Sequence, residues 1–218
     1  MTAADGSGAG AADRHRGRVI LLTGPSGAGK SRLSARLSAA HGWPVVRLDD
    51  FYREADDPAL PRSPLGIPDW DHADSWHAEA AVAALRALVD DGRVDVPVYD
   101  IGASRVTGHH VVTAGPTDYV LAEGLFAGRL VDDLRAEGLL ADALCVRQNR
   151  TLTAVRRFVR DLSERRKPPH ILLRRGLALW RDEPHVIAQA QAHGARCIHP
   201  REAERELEAL VHSAATRG

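Results

Sequence analysis

An α/β layer sandwich around a mainly parallel sheet is the fold class that the sequence predicts. Short apolar runs recur along the chain, each is followed by a stretch with helical spacing, and the first such junction is rich in glycine. The 218 residues are 44% hydrophobic and 27% charged, which suits one domain with a sizeable core and excludes a fibre or a wholly disordered chain. No stretch approaches the ~20 apolar residues needed to cross a bilayer. Residues 1–17 lack the apolar middle of a secretion signal and read as a disordered tail, leaving a single domain over 18–218 and a cytoplasmic setting as the expectation. Cys145 and Cys197 each lie in an apolar run, where thiols pack as small hydrophobes, so neither a disulfide nor a zinc site is expected.

Taken in order, Arg18 to Thr23 is an apolar run stopped by Gly-Pro, the pattern of a buried parallel strand. Ser31 to Ala40 spaces Leu33 and Leu37 four apart and ends at His41-Gly42, a helix stop. Val45 to Leu48 is a second strand. Asp50 to Ser75 has no period and exceeds what a connection needs, as functional loops do. Trp76 to Val89 reads as a helix capped by Ser75, with Ala80, Ala83, Ala84, Leu85 and Leu88 inside. Val94 to Val112 is a small β excursion, and its His109-His110 reads as a hairpin pair rather than a metal site. Tyr119 to Ala122 and Ala143 to Val146 are further strands, followed by helices near 128–137 and 151–163. Helix over Ile171 to Ala192, strand over Arg196 to Ile198 and helix over Glu202 to His212 complete the chain.

Chemistry concentrates at the first junction. Gly24-Pro-Ser-Gly-Ala-Gly-Lys-Ser31 satisfies G-x-x-x-x-G-K-[ST] between a strand and a helix start, which makes the expected class a P-loop NTPase three-layer sandwich. Gly24, Ser26, Gly27, Ala28 and Gly29 would turn backbone N–H groups toward the phosphates of ATP. Lys30 would reach the β and γ phosphates, and Ser31 would offer its hydroxyl to Mg²⁺. A guanine-reading Asn-Lys-x-Asp is absent, since Lys167, the second of two lysines, sits in Arg-Arg-Lys-Pro-Pro. The strand at 119–122 ends in one acid, Glu123, which suits a small kinase better than a motor ATPase. Asp49, at the end of the second strand, would stand at the same sheet edge as the P-loop. There it would accept the proton of an attacking hydroxyl and help to hold the metal.

Charge is zero overall, yet residues 147–175 hold ten Arg or Lys against Asp161 and Glu164, which indicates a concentrated anion site rather than a nucleic-acid coat. Leu152, Val155, Val159 and Leu162 follow a 3-4-3 spacing, so one helix face is expected in the core with the arginines elsewhere. Pro168-Pro169 would end that helix and leave an Arg-rich lid able to close over the nucleotide.

With these motifs the chain resembles the uridine kinase family from about residue 18 to about residue 200. The resemblance rests on the P-loop, Asp49-Asp-Phe-Tyr52, Asp69-Trp-Asp-His-Ala-Asp74, Pro97-Val-Tyr-Asp100, Glu123-Gly-Leu-Phe126 and Arg156-Arg-Phe-Val-Arg-Asp-Leu-Ser-Glu-Arg165. It implies Asp49 as base and Ser31, Asp49 and Glu123 around Mg²⁺. It implies Asp71 on ribose hydroxyls, Tyr52, Trp70 and Tyr99 lining a nucleoside pocket, Arg157 and Lys167 facing the substrate, and Arg160 and Arg165 closing on ATP. The chain departs from the family where a His before an Arg gives way to Ile101-Gly-Ala-Ser-Arg105, and where Asp-x-Asp gives way to Arg147-Gln-Asn-Arg150. The expected activity is ATP- and Mg²⁺-dependent phosphorylation of a small hydroxyl compound, uridine or cytidine first. A pantothenate-like or sugar-phosphate alcohol and a non-catalytic nucleotide-binding module stand as alternatives, and a homo-oligomer is compatible with the sequence.

Overall fold

The computed structural model describes residues 17–64, 66–149, 151, 153, 155, 159, 181 and 183–215. Of the expected tail, all but Gly17 lies outside them. Strand β1, Val19–Thr23, is apolar on both faces but for its last residue and is buried throughout. It centres a parallel five-stranded sheet of order β2-β5-β1-β6-β7, where β2 is Val45–Arg47, β5 Val120–Glu123, β6 Leu140–Val146 and β7 Arg196–Ile198.

The two faces of β1 sort the helices into layers. Val19 and Leu21 join a cluster with Leu85 and Leu88 of α2 (Ala78–Asp91) and Val131 and Leu134 of α3 (Val131–Ala136). Ile20 and Leu22 join Leu33 and Leu37 of α1 (Lys30–His41) and Ala203 and Leu207 of the C-terminal helix, Pro200–Ala215. The result is the expected three-layer sandwich, each fully buried Leu, Ile or Val contributing about 1.5–3 kcal/mol. The sheet order also places β1 where connections diverge, toward β5 and β2 on one side and β6 and β7 on the other, which opens a crevice at the strands' C-terminal ends. Outside the sheet, β3 (Arg93–Asp100) and β4 (Arg105–Thr113) form the expected β excursion, an antiparallel hairpin with His109 and His110 on β4.

Several boundaries and faces differ from expectation. Strand β2 stops at Arg47, and Leu48–Phe51 forms a 3₁₀ turn, the Leu48 carbonyl accepting the indole N–H of buried Trp76 at 2.6 Å. Helix α2 starts at Ala78 after His77, because Ser75 belongs to a separate 3₁₀ turn and its hydroxyl donates to the Trp70 carbonyl. Ala80 and Ala83, expected inside, are exposed, since the larger Val82, Leu85, Leu88 and Val89 set the buried stripe with Ala81 and Ala84. Residues 151, 153, 155 and 159 are helical; Val155 and Val159, expected in the core, are 53% and 58% exposed while Thr153 is buried, and Leu152 and Leu162 lie outside the described residues. Cys145 and Cys197, distant in sequence, are register partners on β6 and β7 and remain free thiols. Burial chiefly pushes the Cys145 thiol up to about 12.

Candidate active site

The loop from Gly24 to Lys30 leaves β1 with Gly24, Gly27 and Gly29 at positive φ, as the motif requires. At Gly24 a side chain is also excluded by space, because a Cβ would lie 2.4 Å from the Val146 carbonyl oxygen of β6. Lys30 and Ser31 open α1. The Lys30 ammonium curls back to donate to the carbonyls of Gly24 at 2.7 Å and Pro25 at 3.3 Å, so it hangs over the loop's concave side. Ser31 Oγ donates to Glu123 Oε2 at 2.9 Å. The Glu123 carboxylate is 8% exposed at the end of β5, and burial raises its pKa against the opposing pull of the Ser31 hydroxyl and the Lys30 charge.

Asp49 reaches the same place from the 3₁₀ turn after β2. Its Oδ1 accepts the Leu125 N–H at 3.1 Å, and its charge adds to the rise at Glu123. The close approach depends on Gly124, where a Cβ would fall 2.9 Å from Leu48 Cβ and 3.0 Å from Asp49 Oδ1. Two carboxylates and a hydroxyl thus converge beside the loop. Hard oxygen donors of this kind suit Mg²⁺, which takes one or two carboxylates and completes its octahedron with water and phosphate. Among the described residues no group of three His, Cys, Asp or Glu offers a denser protein cage.

Beyond Asp49 the turn delivers Tyr52 into an aromatic cluster. Its ring centre lies 6.1 Å from Trp70, 5.9 Å from Tyr99 and 6.0 Å from Phe126. The three aromatic residues expected to line one pocket are therefore brought together from three separate segments. Tyr99 is buried, which raises its phenol pKa, and its hydroxyl donates to the Arg53 carbonyl at 2.9 Å. Asp71 stands exposed beside Trp70, its backbone N–H donating to Asp69 Oδ1. Arg157, Arg160, Arg165 and Lys167 lie outside the described residues.

Three participants escaped the sequence reading as individuals. Phe126 extends the cluster to Trp76, with ring centres 6.0 Å apart. Trp76 in turn anchors the Asp49 turn through the Leu48 carbonyl. Gln148, two residues past the end of β6, donates to the Ala28 carbonyl at 2.7 Å and so braces the P-loop from outside. A polar residue directly after an apolar strand, at the edge where the P-loop opens, was the signal available for Gln148.

Comparison with known proteins agrees with this arrangement. A family model described as an AAA domain matches residues 19–91, the stretch from β1 through α2 that contains both the P-loop and Asp49. A uridine kinase of Leuconostoc citreum is 27% identical over 187 residues, covering 84% of this chain and 86% of that protein. One from Clostridium botulinum strain 657 is 25% identical over 150 residues, covering 67% and 70%. In fold the chain is similar to a candidate fructose transport system kinase from Silicibacter sp. TM1040, with a TM-score of 0.55 at 23% identity over 83% of this chain and 86% of that one. In sequence the chain is thus similar to uridine kinases, and that likeness supports a kinase.

Proposed function

We propose that this kinase transfers the terminal phosphoryl group of ATP to the primary hydroxyl of a nucleoside, uridine or cytidine. The observation that carries the reading is the Tyr52–Trp70–Tyr99 cluster, whose Tyr52 stands three residues beyond Asp49, a set of flat faces suited to a base near a carboxylate suited to a hydroxyl. The relatives named uridine kinases support the same acceptor class.

In this reading the P-loop amides and Lys30 hold the phosphates, Lys30 leaving the Gly24 and Pro25 carbonyls to do so. Ser31, Asp49 and Glu123 would hold Mg²⁺, which would supply positive charge against the phosphates when bound. Binding the cation would also relieve the cost of the buried Glu123 carboxylate. Asp49 accepts the proton of the attacking hydroxyl, and Asp71 meets ribose hydroxyls from the edge of the pocket. Arg157, Arg160, Arg165 and Lys167 supply the remaining cations.

A second acceptor, a pantothenate-like or sugar-phosphate alcohol, is favoured by the hairpin turn. Asp100 Oδ1 there accepts the N–H groups of Gly102 and Ala103, and Ile101 stands exposed where the family carries an imidazole nearby. Measuring ATP consumption with Mg²⁺ across nucleosides, pantothenate-like alcohols and sugar phosphates decides between them. The nucleoside reading expects uridine or cytidine to give the highest kcat/KM, and a higher value for a non-nucleoside alcohol overturns it.

A further inference from the structure

Next to Asp49 stands a second carboxylate to which the phosphotransfer chemistry gives no task. Asp50 is 3% exposed, and burial pushes its carboxyl above the ordinary carboxylate range against the pull of Arg47, whose Nε lies 3.7 Å from Oδ2. A buried charge held with so little compensation is costly, so its bonds bear on what it does. Oδ1 accepts the backbone N–H of Tyr99 on β3 at 3.2 Å. Four residues on, Glu54 Oε1 accepts the backbone N–H of Val106 on β4 at 2.8 Å.

Tyr99 and Val106 are register partners, and they form the rung at which the hairpin's pairing shifts between Val98 and Tyr99. A bulge of this kind disrupts the ladder and leaves the strands locally free to bend. Two carboxylates from one short segment therefore hold the two N–H groups of a single irregular rung. The Tyr99 hydroxyl on the Arg53 carbonyl and the Ala55 N–H on the Ser104 carbonyl, at 3.0 Å, fasten the same segment to the same end of the hairpin.

We propose that Asp50 and Glu54 are positioning residues that clamp the Tyr99–Val106 rung of the hairpin to the turn bearing Asp49, so that the Tyr99 wall of the acceptor site and the base keep one fixed spacing. The clamp rests on the acceptor reading above for its kinetic consequence and not for its structural one. Loss of either carboxylate lets the hairpin bend at its bulge. The acceptor hydroxyl then meets Asp49 out of line, while the P-loop, attached to β1 and β6, is untouched.

The test uses the full chain with Asp50→Ala, Asp50→Asn, Glu54→Ala and Glu54→Gln, read by steady-state kinetics and by backbone hydrogen exchange over residues 93–106. For each alanine variant, kcat/KM for the acceptor should fall on the order of 10-fold to 10²-fold, the scale of a misplaced reactant. KM for ATP should stay within about twofold, and exchange at Tyr99 and Val106 should accelerate. Asn and Gln keep an acceptor oxygen and should restore both readouts. Equal loss in the amide and alanine variants, or alanine variants whose melting temperature drops while exchange at the rung and acceptor KM do not move, overturns the clamp. Should Asp50→Ala fail to fold, the half-buried Glu54 carries the same decision through its own pair. If no nucleoside is phosphorylated by the unaltered enzyme, the substrate reading falls, and exchange at the rung still decides the clamp.

Discussion

Residues 24–31 and residues 49–54 face one crevice, but they are built in different ways. The P-loop is a single unbroken turn whose backbone path is set largely by its own glycines, whose Lys30 bonds to carbonyls five and six residues away, and which Gln148 braces from outside. The 49–54 segment is assembled at long range. Asp49 is held by Leu125, Leu48 by Trp76, Asp50 by Tyr99 and Glu54 by Val106. Largely local construction makes the P-loop robust to distant changes, whereas the 49–54 segment depends on elements whose relative placement each has its own tolerance.

The sharpest way to probe this contrast is on the local side. Lys30→Ala removes a charge that touches loop carbonyls, so kcat should fall by ~10³-fold, near the upper end for loss of one transition-state donor. Its melting temperature should hold, and a large drop in stability would show that the loop depends on Lys30 for its shape. Next in size, Asp49→Asn keeps shape and removes the carboxylate charge, so kcat should fall by ~10²-fold with ATP affinity retained, as measured by equilibrium binding. An equal loss of ATP affinity would erase the separation between the two sides.

On the assembled side, Trp76→Phe leaves the buried Leu48 carbonyl without its indole donor and should cost about 1–3 kcal/mol in denaturant unfolding. Because Leu48 begins the Asp49 turn, acceptor KM should rise while KM for ATP stays constant. Matching rises in both would break the comparison. The smallest effect lies behind the P-loop, where Arg36 of α1 pairs with Glu204 of the C-terminal helix at 2.9 Å between Nη2 and Oε2. This pair is partly exposed, so Arg36→Ala should cost no more than about 1 kcal/mol and leave kinetics unchanged. Arg36 holds the Glu204 carboxyl below its ordinary range. The pair's contribution is therefore present above the ordinary carboxylate pKa and lost as pH falls through the lowered one. Thermal melts of the two proteins should converge in acid.

Every strand of the sheet was legible in order, because short, mostly apolar runs, here three to seven residues long, have few other uses in a chain of this length. Ends and faces were less so. The Leu48 carbonyl leaves β2 for an indole 28 residues away, and Ala80 and Ala83 lose their place in the core to larger neighbours, outcomes set by partners that no local window contains. Tyr52, Trp70 and Tyr99 were named together through motif resemblance and do meet in one aromatic cluster, yet Phe126 and Trp76 took their places beside them by packing alone.

By itself the sequence determined the P-loop, since turn, cradle and helix start are one contiguous string whose glycines encode the backbone path directly. It also determined the alternation of buried strands and helices that puts every strand's C-terminal end on one edge. Only the tertiary structure decided that two adjacent carboxylates differ in partners, Asp49 turning toward Glu123 and the P-loop and Asp50 toward the hairpin. Neighbouring identical side chains carry no label in a sequence. Their surroundings are fixed by which N–H groups the packed elements leave for each of them, and those groups come from residues about fifty to seventy-five positions downstream.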